Sequence, residues 1–120
     1  MTVPSAKELL AALFETIDTC RWDRLGDVLA DDCVCEPSGV AEPLAGLARI
    51  ERFYRHERPI ASGRHQIEEV VVGGDAAACW GRFTGENTSG QPVDIRFADT
   101  FAIRAGKIVR RTSYLRGPGS

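Results

Sequence analysis

The stretch Val93-Asp-Ile-Arg-Phe97-Ala-Asp99-Thr-Phe101-Ala-Ile-Arg104-Ala-Gly106-Lys-Ile108-Val-Arg-Arg111-Thr-Ser113-Tyr114-Leu115 decides the fold. It reads as two strands joined at Ala105-Gly106-Lys107, where Gly106 is free to adopt the positive φ of a tight turn. Strict alternation puts Val93, Ile95, Phe97, Phe101 and Ile103 on one face, and Asp94, Arg96, Thr100 and Arg104 on the other. Asp99 breaks the pattern, because its parity places it between Phe97 and Phe101. Burial among phenylalanines favours a neutral carboxyl group that donates a hydrogen bond. A β-bulge turning it outward, or bonds to buried backbone, would instead make it structural.

Before this hairpin, His65–Val72 and Ala76–Glu86 read as strands, joined by Gly73-Gly74-Asp75. Asn87–Gly90 is a polar loop leading into the hairpin. Towards the N-terminus, Met1–Pro4 is a short lead and Ser5-Ala-Lys-Glu8 has the form of a capping box. Leu9, Leu10, Leu13, Phe14 and Ile17 then recur at helical spacing, which predicts a helix from Ala6 to Thr19. A second helix is predicted over Trp22–Ala30. A brief extended segment follows at Cys33–Glu36 and stops at Pro37-Ser38-Gly39. A third helix, carrying Leu47, Ile50, Phe53 and Tyr54, runs from Gly46 and ends before Pro59. Three helices, one early strand and a four-strand meander make an α+β chain. Helices closing a curved sheet enclose a cone, a natural pocket for a small molecule.

Composition narrows the classes. With 120 residues, 43% hydrophobic and 27% charged, the chain reads as one domain over residues 1–120. A formal net charge of −2 and no basic block speak against nucleic acid. No apolar run suits a membrane span, and the first fifteen or so residues lack the pattern of a signal peptide. Cys20, Cys33, Cys35 and Cys79 form no C-x-x-C pair and have only two histidines to accompany them, so no metal site is expected. Buried free thiols fit a cytoplasmic protein.

Phe97-Ala-Asp99-Thr-Phe101, Ala105-Gly106-Lys107-Ile108-Val109 and Trp22-Asp23-Arg24-Leu25…Leu29-Ala30-Asp31-Asp32 resemble hallmarks of the NTF2-like superfamily. The resemblance is to its SnoaL-like and, most closely, ketosteroid-isomerase-like members. It implies a cone-shaped NTF2-like, or cystatin-like, α+β fold with three N-terminal helices packed on a curved, mostly antiparallel sheet. It also implies a homodimer formed through the open sheet face. In ketosteroid isomerase a carboxylate base works beside an oxyanion hole made of a tyrosine and a protonated aspartic acid. Asp99 falls where that family places the protonated acid, and Glu36, immediately before Pro37, falls near its base. Ile50-Glu-Arg-Phe53-Tyr54 resembles the family's third helix. The family's oxyanion tyrosine on helix one is absent, since Leu13 and Phe14 stand there. Tyr54 is the candidate to replace it.

The resemblance therefore implies a cofactor-free isomerase of steroid-like or polyketide-like enones, with Glu36 and Asp99 as catalytic residues. Tyr54, His65, Phe14, Phe53, Trp80, Phe97 and Phe101 are the candidate substrate contacts. Trp80 is equally a candidate for the dimer contact, and Arg110 and Arg111 are expected on the solvent side of the last strand. Two alternatives stand beside this reading. One is an epoxide hydrolase or cyclase of polyketide or terpenoid metabolism, pairing Glu36 with His65; Arg82-Phe83-Thr84 and Ser113 lack the limonene-type carboxylates. The other is a hydrophobic-ligand module without chemistry.

Overall fold

A computed structural model describes residues 3–117; Met1 and Thr2 of the predicted lead lie outside the described residues. Helix α1 spans Ala6–Asp18. Its capping box forms as the sequence predicts: Glu8 N donates to Ser5 Oγ at 3.1 Å, and Ser5 N donates to Glu8 Oε1 at 2.9 Å. The stripe Leu9, Leu10, Leu13, Phe14 and Ile17 is buried.

The expectation of three N-terminal helices needs correction. Trp22–Asp27 is a single 3₁₀ segment that buries Leu25. It stops early because the Ile108 amide donates to the Val28 carbonyl at 2.8 Å, drawing the next residues into the sheet. Strand β1 accordingly starts at Leu29 and runs to Glu36, longer than the sequence suggests. A two-residue strand, β2 (Leu44–Ala45), precedes helix α2 (Leu47–Arg52). Helix α2 passes directly into a π-helical turn, Phe53–Glu57, closed by the Arg58 amide on the Phe53 carbonyl at 2.8 Å.

The remaining strands are β3 (Ile60–Gly73), β4 (Ala76–Asn87), β5 (Pro92–Arg104) and β6 (Lys107–Arg116). They form a six-stranded sheet in the order β2-β1-β6-β5-β4-β3. Only the β1–β6 pair is parallel; the meander is antiparallel. Cys79, Phe83, Phe97 and Phe101 face the helices and complete one core with α1, Leu25, Leu44 and Ile50.

One irregularity matters for function. Ala102 pairs with Arg110 while its neighbour Ile103 pairs with Ile108, so Val109 is an extra residue in β6. This β-bulge reverses the side-chain alternation beyond it. Ile108 and Arg111 are both buried, at 0% and 8% exposure, where unbroken alternation would have turned Arg111 outward. The expectation that Arg111 is a solvent residue fails for that reason; Arg110 is exposed as expected.

Candidate active site

Between the inner face of the sheet and the helical segments lies a cavity of about 190 Å³. Its rim includes the exposed residues Ser38, Pro59 and Leu115. Ile17, Leu44, Ile60, Phe83, Ile95 and Phe97 make most of the wall apolar, and Tyr54, Arg58, His65, Asp99 and Arg111 supply polar groups.

Asp99 lies on the inner face, as its parity requires, and is 1% exposed. It does not stand alone among phenylalanines. The Nε and Nη2 atoms of Arg111 donate to its Oδ2 at 3.0 and 2.8 Å. The expected neutral donor is therefore an acceptor held by a buried guanidinium. The same guanidinium donates through Nη1 to the Tyr54 hydroxyl oxygen at 2.8 Å, and its carbon lies 5.4 Å from the Phe14 ring centre. Burial alone would push the Arg111 pKa down, but Asp99, Tyr54 and Cys35 outweigh it and the pKa ends above its ordinary value. For Tyr54, burial raises the phenol pKa and Arg111 opposes it. The phenol keeps its proton at neutral pH. Because its oxygen already accepts from Arg111, that proton is available to a ligand oxygen.

His65 forms a second centre lining the same cavity. Its backbone amide donates to Asp18 Oδ2 at 2.9 Å, and its Nδ1 lies 2.6 Å from Asp18 Oδ1. The carboxylate thus selects the tautomer with the proton on Nδ1 and leaves the lone pair on Nε2. The rings of Phe14, Phe83 and Phe97 surround the imidazole at 4.7, 4.7 and 5.1 Å. Burial lowers its pKa more than Asp18 raises it, so the ring is neutral at pH 7. A neutral imidazole oriented by a carboxylate is a competent general base.

Residues 10–111 match the family model of the SnoaL-like domain. The chain belongs to the SnoaL-like family. No curated protein matches it. Among solved structures, a SnoaL-like polyketide-cyclase candidate from Jannaschia sp. CCS1 superposes with a TM-score of 0.79 at 17% identity, covering 96% of this chain and 91% of that one. A protein of ketosteroid isomerase-like fold from Catenulispora acidiphila DSM 44928 gives 0.81 at 17% identity, with 92% and 86% covered. An NTF2-like protein of unknown function from Burkholderia pseudomallei K96243 gives 0.82 at 16% identity, with 92% and 89% covered. At these identities the likeness establishes the fold.

Within this SnoaL-like frame the sequence candidates separate. Tyr54, His65, Phe53, Phe97 and Asp99 line the cavity together. Phe14 packs behind it, between Arg111 and His65. Phe101 is a core residue set edge-on to Phe14 at 6.4 Å. Trp80 does not reach the cavity: it follows the buried Cys79 in β4, so it points to the outer face, 40% exposed. Glu36 contributes to the rim, but its carboxylate accepts from Arg110 and, at 3.2 Å, from the Thr112 hydroxyl. Thr112 lies between the inward Arg111 and Ser113 in β6, so this network occupies the face of the sheet away from Asp99.

Sequence reasoning missed Asp18, Arg58 and Arg111. Asp18 shows no local signal, being the last residue of an amphipathic helix. Cys35 lines the cavity, Cys33 and Cys79 are buried, and Cys20 is exposed, so the expectation of buried thiols fails for Cys20. Among the described residues, no group of three His, Cys, Asp or Glu side chains is arranged to hold a metal ion, and no helix is long and apolar enough to cross a membrane.

Proposed function

We propose that the protein is a cofactor-independent proton-transfer enzyme, an isomerase or cyclase acting on a compact, apolar carbonyl compound. The observation that carries this reading is the presence of two complementary centres in one cavity: a neutral imidazole oriented by Asp18, and a tyrosine hydroxyl backed by a buried arginine. His65 Nε2 removes a proton from the carbon next to the carbonyl, and the imidazolium formed is stabilised by Asp18. The enolate oxygen accepts from the Tyr54 hydroxyl, whose polarisation by Arg111 grows in value as negative charge develops. Returning the proton from His65 to a conjugated carbon completes an isomerisation. Attack of the enolate carbon on a second carbonyl of the same molecule, with that oxygen taking the proton, completes a cyclisation. In this reading Asp99 anchors Arg111, and Glu36 is not the base.

Cavity size favours the compact end of the substrate range. About 190 Å³ is below the roughly 300–1,000 Å³ common for drug-sized ligands, which suits one or two rings better than a four-ring steroid. The protein pairs with a second copy through the outer face of the sheet, where Trp80, Ala98 and Tyr114 lie in register across three strands.

Deuterium uptake from D₂O into small cyclic enones, followed by NMR, tests the chemistry. The wild type exchanges the acidic C–H positions. His65→Gln slows exchange by about 10²–10⁴ and Tyr54→Phe by about 10²–10³. Exchange that continues at the wild-type rate in His65→Gln removes His65 from the role.

A further inference from the structure

Arg58 is the cation on the cavity wall that the chemistry above leaves unused. Among the described residues its guanidinium has no carboxylate within ion-pair distance and no side-chain hydrogen bond. Three aromatic faces hold it instead: its guanidinium carbon lies 5.9 Å from the Trp22 ring centre, 5.5 Å from Tyr54 and 5.9 Å from Phe83. Trp22 and Tyr54 are themselves stacked, with centres 5.0 Å apart. This arrangement holds the guanidinium over aromatic rings and, among the described residues, gives its N–H donors no side-chain acceptor.

The placement has a cost that the protein offsets only in part. Burial lowers the Arg58 pKa. Asp18 exerts part of its field there, but its two oxygens are engaged by His65. The buried guanidinium of Arg111, by contrast, is neutralised by Asp99. Arg58 therefore lines a largely apolar cavity with no carboxylate in direct contact, the negative charge of Asp18 acting on it only at longer range. A positioned, unpaired fork of N–H donors matches the two oxygens of a carboxylate.

We propose that the ligand of this cavity carries a carboxylate group, bound by Arg58, on an apolar body that extends toward Tyr54 and His65. Substrate class follows from this: a small unsaturated keto acid, whose carboxylate sits at Arg58 and whose enone end meets Tyr54 and His65; a simple enone offers only that reacting end. The inference builds on the proton-transfer reading only for the far end of the molecule; the carboxylate contact stands on Arg58 itself.

Calorimetric titration of the whole chain with trans-cinnamate and with cinnamamide tests it, since the two differ in charge and little in shape. Wild type binds cinnamate about tenfold more tightly than the amide, the value of one charge-assisted contact. Arg58→Gln abolishes that preference while still binding the amide, which shows an intact cavity. Arg58→Lys keeps the charge, loses the fork and retains part of the preference. Equal affinity of the wild type for the two compounds, or no binding of cinnamate at millimolar concentration, overturns the proposal, as does a preference that survives in Arg58→Gln. Should Arg58→Gln not fold, the wild-type comparison and Arg58→Lys decide it. Failure of the proton-transfer reading would show separately, as exchange surviving His65→Gln, and would leave the binding result as it stands.

Discussion

Arg111 joins the two halves of the polar wall, because one guanidinium serves both Asp99 and Tyr54. Removing its counter-ion leaves a buried charge unpaired. Asp99→Ala should therefore cost about 3–5 kcal/mol in urea unfolding. The double substitution Asp99→Leu with Arg111→Met should recover much of that stability, because breaking such a pair is worse than replacing it with apolar groups. If the single variant is as stable as the wild type, the pair does not have the assigned weight. His65 supplies a pH dependence of known sign. Burial holds its pKa below the ordinary 6.5, so between that depressed value and 6.5 the unfolded chain binds a proton that the native state refuses. The stability from this group is complete above 6.5 and is lost as pH falls through that window. Comparing the wild type with His65→Gln by thermal unfolding from pH 8 to pH 5 should show the wild type losing more stability on the acid side. A wild type that gains relative to the variant on acidification would contradict the assignment. Asp99 was legible in the sequence as an anomaly, but its partner was not: alternation alone puts Arg111 on the wrong face.

Two irregular elements place the site, and neither has a strong sequence signal. The β6 bulge at Val109 rotates Arg111 inward, though Val109 is an ordinary strand residue. The π-helical turn lengthens the end of helix α2 so that Tyr54 and Arg58 both line the cavity. Phe53 and Tyr54 were legible as an apolar patch, while the extra turn geometry depends on how the segment meets the sheet. Close packing between β3 and β4 sets a third constraint. A Cβ added to Gly63 would lie 2.0 Å from Phe83 Cζ, so Gly63→Ala must push the ring that packs on His65 and Arg58. Gly63→Ala should lower stability by about 1–3 kcal/mol and weaken cavity binding in the same titration. Unchanged melting temperature and affinity would show that the Phe83 ring has room to move.

At the level of the molecule, the outer sheet face bears on assembly. Trp80 and Tyr114 are 40% and 58% exposed there, on either side of Ala98. For the proposed dimer, light scattering at micromolar concentration should give about twice 13.1 kDa, and Trp80→Glu should return it to the monomer mass. A wild type already at 13.1 kDa removes the dimer. The α+β class, the first helix with its cap, the meander strands and the inward parity of Asp99 were all readable from the chain. Each is set by local periodicity or by residues a few positions apart, so the sequence carries it directly. The number of true helices and the composition of the site were not. Asp18 meets His65 across 47 positions and Arg111 meets Tyr54 across 57. Contacts over such separations depend on strand register, on one bulge that reverses alternation, and on the helix-to-sheet spacing. The sequence determined that a cavity-forming α+β fold would arise, whereas tertiary structure decided which charge would be paired, which imidazole oriented and which guanidinium left free, because those outcomes follow from packing faces together rather than from any local pattern.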